Sequence, residues 1–189
     1  KSDIFGNSNQ PIIASSNVVR ISLIQNIPDS PHIEDWEYDR KQKAILIEKL
    51  NDDRRLQLFN KISVKSLHPL IINHEKSLCL IEPTFVKLFD FAHKSWQGKY
   101  QPKIKFVLDN VEYNLPAPDI YWRALGRRLL SENNPCLTED ALKSLLKCNR
   151  IFFSIGLSRW HEETQTYHPM IIGVHLIPNF SADIDYSQL

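Results

Sequence analysis

The sequence predicts a mainly β protein with inserted helices, an α+β chain built on small, partly open antiparallel barrels. Three observations carry this. Residues 103–115, KIKFVLDNVEYNL, alternate apolar and polar positions on both sides of the Asp109-Asn110 break, the pattern of a β-hairpin with one buried face. About six or seven strand-like runs fall into two groups, with two or three helical segments between them. Strands and helices do not alternate one for one, which argues against a doubly wound parallel sheet and for small antiparallel barrels.

The elements follow in order. Residues 1–16 are polar and rich in Gly, Asn and Ser, and read as a loop or arm. Residues 17–25, NVVRISLIQ, form a β-branched run with Val19, Ile21 and Leu23 on one face, ended by Pro28 and Pro31. Residues 33–50 stay open between strand and helix, because a short apolar run (Ala44 to Ile47) fits either. Residues 52–62 predict a helix with Leu56, Phe59 and Ile62 on one side, capped by Asp52 or Asn51. Residues 66–73 read as a connector around Pro69, and residues 77–82 and 85–91 as strands.

Residues 92–102, AHKSWQGKYQP, then form an exposed loop that leads into the hairpin. Asp109 and Asn110 tolerate the positive φ of a tight turn. Pro116 and Pro118 break the sheet, and Asp119 caps a helix over residues 120–130 in which Trp122, Leu125 and Leu129 repeat at helical spacing. Thr138 caps a second helix, 139–149, with Glu139 and Asp140 at its start and Lys147 and Arg150 at its end, matching the dipole. Residues 151–158 and 169–177 predict two strands joined by a long polar loop, and residues 179–189 a disordered or peripheral tail.

Composition bounds the function classes. The chain has 189 residues and a formal net charge of +1, so any basic surface is local. Cys79, Cys136 and Cys148 are widely spaced with no C-x-x-C, as expected of reduced thiols in a cytoplasmic protein. No apolar run approaches the ~20 residues of a membrane span, and the first residues do not form a signal peptide. The first residue is not Met, which fits a processed or trimmed form.

A family resemblance rests on particular residues. The run Ser77-Leu78-Cys79-Leu80-Ile81-Glu82-Pro83 is followed by Lys105-Phe106, by Tyr113-Asn114-Leu115, by Asp119, and by a strand with Ser154-Ile155-Gly156-Leu157. Over about half of the chain this order resembles the second half of the bacterial dual OB-containing domain family. Residues 31–36 resemble that family's motif joining its first barrel to the rest. Here Pro116-Ala117-Pro118-Asp119 replaces the family's Val-Thr-Asp-Pro, and the helices between Asp119 and Asn149 are longer than its insert. The resemblance implies OB-like barrels and a nucleic-acid-related role in bacterial defence, and it brings no catalytic residues. The domain organisation expected is then 1–76, an arm, strand and helix region with the outline of an incomplete first barrel, and 77–189, an OB-like barrel with a helical insert at 119–149 and a tail.

No P-loop, G-x-G-x-x-G, H-E-x-x-H or G-x-S-x-G is present, and no motif calls for a cofactor or a metal. Residues 154–158, SIGLS, come nearest to the last of these, but lie inside a strand pattern where Gly156 marks a bulge or close contact. His68 and His74, and His161 and His168 beside Glu162 and Glu163, read first as solvated loop histidines and second as a metal or acid/base site. Glu34, Asp35, Glu37 and Asp39 read first as a solvated face and second as a cation site.

The strongest functional pattern is basic and aromatic. Over residues 87–105, Lys87, Lys94, Lys99, Lys103 and Lys105 interleave with His93, Trp96 and Tyr100, and Arg123, Arg127 and Arg128 extend the basic surface. Single-strand binding needs cations to track phosphates and aromatic faces for bases to stack on, and this segment offers both. The competing reading folds Trp96 and Tyr100 onto the core and leaves the lysines as solubilising charges. The function expected is a non-enzymatic module contacting single-stranded nucleic acid or a ribonucleoprotein through Lys94, Trp96, Lys99, Tyr100, Lys103, Lys105, Arg123 and Arg127. Two alternatives remain. One is a protein-interaction subunit docking a larger partner through residues 35–38 and the helix after Asp119. The other is a metal-dependent hydrolase using Glu34, Asp35, His161 or His168.

Overall fold

A computed structural model describes residues 16–95 and 97–180. The expected arm at 1–15, Trp96 and the tail from 181 onward lie outside the described residues. The chain divides into two compact units, residues 1–61 and 62–189, so residues 62–76 group with the second unit. The described part is mostly strand, in four antiparallel sheets, none of them closed, with a few helices.

The first unit holds two ribbons and a helix. The run at 17–25 is not one strand. It divides into β1 (Asn17–Arg20) and β2 (Leu23–Asn26), because the two halves find different partners. β1 pairs with β4 (Ile45–Lys49), and β2 with β3 (Trp36–Tyr38). Residues 33–50 are therefore strand wherever they are regular. Asp39 serves the turn after β3, accepting from Lys41 N at 2.9 Å and Gln42 Nε2 at 3.1 Å. Glu37 accepts from Gln25 Nε2 across the ribbon at 3.2 Å. Asp39 and Glu37 thus have structural partners in this ribbon and its turn.

α1 (Asp52–Ile62) follows, with Asn51 Oδ1 accepting Arg54 N at 3.0 Å. The cap is thus the side chain of Asn51. Among the described residues of this unit, no apolar side chain is fully buried: Ile24, Trp36, Ile45 and Ile47 are all half exposed or more. Two-stranded ribbons have too little facing surface to bury both sides of their side chains.

The second unit carries the core. The predicted connector contains α2 (His68–Ile71), one turn that buries Leu67 and Leu70. Pro69 is tolerated there because the first turn has no N–H bond to lose. β5 (Leu78–Ile81) and β6 (Phe85–Asp90) stand where the sequence puts strands. β7 (Lys103–Leu108) and β8 (Val111–Pro116) form the predicted hairpin, in register from Lys103 opposite Pro116 to Leu108 opposite Val111. Asp109 and Asn110 have φ of 51° and 60°, the left-handed pair that matches strand twist in a two-residue turn.

α3 (Ile120–Ser131) buries Trp122, Leu125, Gly126 and Leu129. Its predicted cap does two jobs. Asp119 Oδ1 accepts Tyr121 N at 2.8 Å and Trp122 N at 3.2 Å, while Oδ2 accepts Val174 N at 2.9 Å. β9 (Cys136–Leu137) is a two-residue strand on β6 that the sequence pattern hides. α4 (Glu139–Leu146) stops three residues short of the predicted end, because Lys147 turns left-handed at φ 53°. Arg150 is therefore not a helix-end charge. It opens β10 (Arg150–Leu157) and its guanidinium bonds Glu82, with Nη2 at 2.7 Å from Oε2. β11 (Pro169–Ile177) completes the fold.

The sheets of this unit run β11-β10-β5 and β8-β7-β6-β9. Their inner faces meet where the Phe106 ring lies 5.3 Å from that of Phe153, and β11 also lies against β8. Ile81, Phe89, Ile104, Phe106, Ile155 and Ile171 are fully buried between the sheets and helices. Phe180 of the expected tail packs edge-on to Trp122, at 6.1 Å, so this residue is not peripheral. Gly156 sits next to a register shift in β10, and a Cβ there would lie 3.2 Å from Ile172. Among the described residues no helix is long and apolar enough to cross a membrane.

The three cysteines are free thiols: Cys136 exposed, Cys79 half-buried and Cys148 buried. Burial pushes the Cys79 thiol up to about 11 against a smaller opposing pull from Lys76. At pH 8 about one Cys79 in a thousand is thiolate. Iodoacetamide should therefore label Cys136 first, with Cys79 gaining speed only as the pH rises towards 11, as peptide mass mapping would show.

Candidate functional site

The loop between β6 and β7 is a small ordered hairpin. Asp90 Oδ1 ends β6 by accepting Ala92 N at 3.0 Å and His93 N at 3.1 Å. The His93 ring bonds Gln101 O through Nδ1 at 2.9 Å, and Lys94 bridges Tyr100 through the backbone. The tip closes where Gly98 N donates to Ser95 O at 2.8 Å, with Gly98 at φ 74°, where glycine carries no Cβ penalty. Residue pairing thus returns Lys99 and Tyr100 towards the body of the unit.

α3 meets them there. Arg123 and Arg127 lie one turn apart on its flank. The Arg127 guanidinium sits over the Tyr100 ring, 5.1 Å from its centroid. The Tyr100 hydroxyl rests against Gly126, where an added Cβ would lie 2.2 Å from Oη and 2.8 Å from Phe91 Cδ1. Gly126→Ala is expected to lower stability by about 1–3 kcal/mol in urea unfolding, because the backbone cannot retreat from an overpacked contact. Burial raises the Tyr100 phenol above its ordinary range, opposed first by Arg127 and then by Arg123.

A cavity of about 390 Å³ opens beside this contact. Ser95, Gln97, Lys99, Tyr100 and Gln101 line it from the loop, Pro118 and Arg123 from the approach to α3 and its first turns, and His161 from the β10–β11 connection. Among the described residues no carboxylate is in its lining, although Asp90 acts on the Tyr100 phenol and raises it. Tyr100 Oη and Arg123 Nε are buried without a hydrogen-bond partner, the hydroxyl closed in against Gly126 rather than open to the cavity.

Comparison with models of known families, with curated proteins and with solved structures finds no match to this chain. What the site can do is therefore argued from its own chemistry.

The structure brings Lys99, Tyr100, Arg123 and Arg127 together, with Lys94 bridged to Tyr100 at the base of the loop. Lys103 and Lys105 take a different place. Alternation along β7 puts them on the face opposite Ile104 and Phe106, and Lys105 Nζ lies 2.8 Å from Glu112 Oε1. Lys87 bonds the same carboxylate. Hydrogen bonds from Lys105 and Lys87 hold the Glu112 carboxyl below its usual range.

The sequence reads His161 as a loop histidine or a metal or acid/base residue, not as a neighbour of the 92–102 loop. Its loop is built rather than loose: Trp160 and Tyr167 pack edge to face at 5.1 Å, and His161 bridges Thr166. Thr164 Oγ1 joins both rings, 3.1 Å from His161 Nδ1 and 2.8 Å from His168 Nε2. No sequence spacing announces the meeting of this loop with residues some sixty positions earlier. Among the described residues no three His, Cys, Asp or Glu side chains converge as a metal-ligand set.

Proposed function

We propose that this protein is a non-enzymatic, single-stranded nucleic-acid-binding module whose second unit is an OB-like, partly open antiparallel barrel. The observation that carries the reading is the cavity at the 91–102 loop, walled by Lys99 and Arg123, with no carboxylate among its described lining residues. Tyr100 and the exposed Arg127 make a ring–guanidinium pair, and both planes stack bases. Two open antiparallel sheets facing each other through Phe106 and Phe153 support the OB-like assignment. The resemblance to the dual OB-containing family supports the same role, in a bacterial defence setting and against a nucleic acid or a ribonucleoprotein.

The test is fluorescence anisotropy with labelled single-stranded RNA and DNA across salt. Four phosphates met by Lys94, Lys99, Arg123 and Arg127 give a log–log salt slope of about −3 for a single strand. Trp96→Ala with Tyr100→Ala should weaken binding at least about tenfold, from stacking worth roughly 1–3 kcal/mol per base, with an intact thermal transition. A double variant that melts at room temperature would place both rings in the core and end this reading.

A second reading, a protein-interaction subunit, is favoured by the apolar side chains that the first unit leaves in solvent, Trp36 and Tyr38 among them. The apolar face of α3 is used by the core, so docking would rest on residues 35–38. Trp36→Ala with Tyr38→Ala should then abolish stoichiometric capture of a partner while leaving nucleic-acid affinity unchanged. If the unaltered protein captures none from native lysate, this reading falls.

A further inference from the structure

We propose that Trp160, on the β10–β11 connection, is a stacking platform for a base of single-stranded nucleic acid. This rests on the nucleic-acid reading and adds to it a residue that the 92–102 loop does not supply. Trp160 follows shortly after the end of β10 and directly precedes His161, which lines the cavity with Lys99 and Arg123. Consecutive Cα atoms lie about 3.8 Å apart, so the ring and the cations are neighbours. At 46% exposed, Trp160 is the most open Trp, Tyr or Phe among the described residues of the second unit. A single exposed apolar side chain is ordinary in itself. Its place beside two cations is what gives this one a partner, because single strands are held by cations on phosphates together with rings on bases. The Tyr100 ring is the poorer platform, since Arg127 sits over it and its hydroxyl is closed in against Gly126.

The loop that carries the ring is fixed before a strand arrives. Ser158 N donates to His168 O at 2.9 Å, and His168 N donates to Ser158 Oγ at 2.9 Å. His161 N donates to Thr166 O at 3.1 Å, and Thr164 Oγ1 ties the His161 and His168 rings together. The Trp160 ring meets Tyr167 at an interplanar angle of 70°, and Tyr167 meets His74 in the same way at 5.1 Å and 71°. A T-shaped contact covers at most one face of a ring, and the exposure of Trp160 leaves indole surface for a base. Little ordering is then left to do on binding, which lowers its cost. Glu162 and Glu163 follow in the same loop and repel phosphate, so the loop supplies a ring while the cations come from the cavity.

Anisotropy on the full chain would compare a labelled single strand with an abasic strand of the same length, which keeps the phosphates and loses the bases. Trp160→Leu keeps apolar bulk against Tyr167 but has no π-face. It is expected to weaken binding of the strand with bases by about tenfold and to leave the abasic strand within about twofold. Trp160→Phe keeps a face and should stay within about threefold of the native chain on both strands. Thermal melting would check that the variants fold. Ultraviolet cross-linking of a 5-bromouridine strand to the native chain, mapped by peptide mass, should place an adduct on Trp160, and it decides if Trp160→Leu does not fold.

Native affinity of Trp160→Leu for both strands would overturn the platform while nucleic-acid binding stood. An equal loss on both strands would show that the ring serves the shape of its loop and not a base, and would overturn the platform as well. No binding of either strand by the native chain at any salt would overturn the nucleic-acid reading and the platform with it.

Discussion

Asp119→Ala is expected to lower the unfolding free energy by about 1.5–5 kcal/mol. The figure combines loss of an N-cap, roughly 0.5–2 kcal/mol, with a nearly buried donor left without its acceptor, about 1–3 kcal/mol. Both arise from one carboxylate: Oδ1 caps α3 through Tyr121 N and Trp122 N, and Oδ2 takes Val174 N from the free side of β11. Asp119→Asn has a single carbonyl oxygen, so it serves the cap or the strand but not both, and should lose about half as much. Urea unfolding followed by circular dichroism measures the series. Equal stability for Ala and the native residue would show that the α3–β11 junction is held by packing alone. The junction bears on the candidate site because α3 carries Arg123 to the cavity and Arg127 to the Tyr100 ring.

Phe106→Ala is expected to cost about 3–5 kcal/mol, the range for removing a fully buried aromatic ring. Phe106 is 0% exposed, and its ring lies 5.3 Å from both Tyr113 on β8 and Phe153 on the other sheet. For a domain stable by about 5–15 kcal/mol, that is a large share of the total. Val111→Ala, at the turn end of the same hairpin and 50% exposed, should stay within about 0.5 kcal/mol. Denaturant midpoints of the two variants test the contrast. Similar midpoints would mean that the sheets are not joined through Phe106.

Of the candidate site, the sequence placed the loop, the basic residues and Tyr100, because charge and aromatic interleaving are local patterns. The cavity itself was not legible. It needs Arg123 and His161 beside Lys99, and each comes from a separate element. Neither was the separation of Lys105 from the loop. Alternation along β7 points it at Glu112, a pairing set by hairpin register rather than by sequence proximity. Gly126 sits inside α3 with no local sign of its role. Its reason is the Tyr100 hydroxyl, which arrives from the loop 26 positions earlier.

The sequence by itself determined every element whose signal is complete within a few residues. The 103–115 hairpin has its alternation and its turn pair on the page, and α3 has a cap and three apolar positions at helical spacing. Residues 17–25 show the limit. Their β-branched composition specifies strand, but the division into β1 and β2 depends on β4 and β3, which compete for the two halves. β9 exists only because β6 offers an edge, and α4 ends where Lys147 turns left-handed rather than where the charge pattern stops. Partner choice, sheet order and the meeting of Tyr100 with Arg127 were decided by the tertiary structure. Hydrogen-bond ladders and buried contacts reward residues far apart in the chain, and local periodicity carries no record of them.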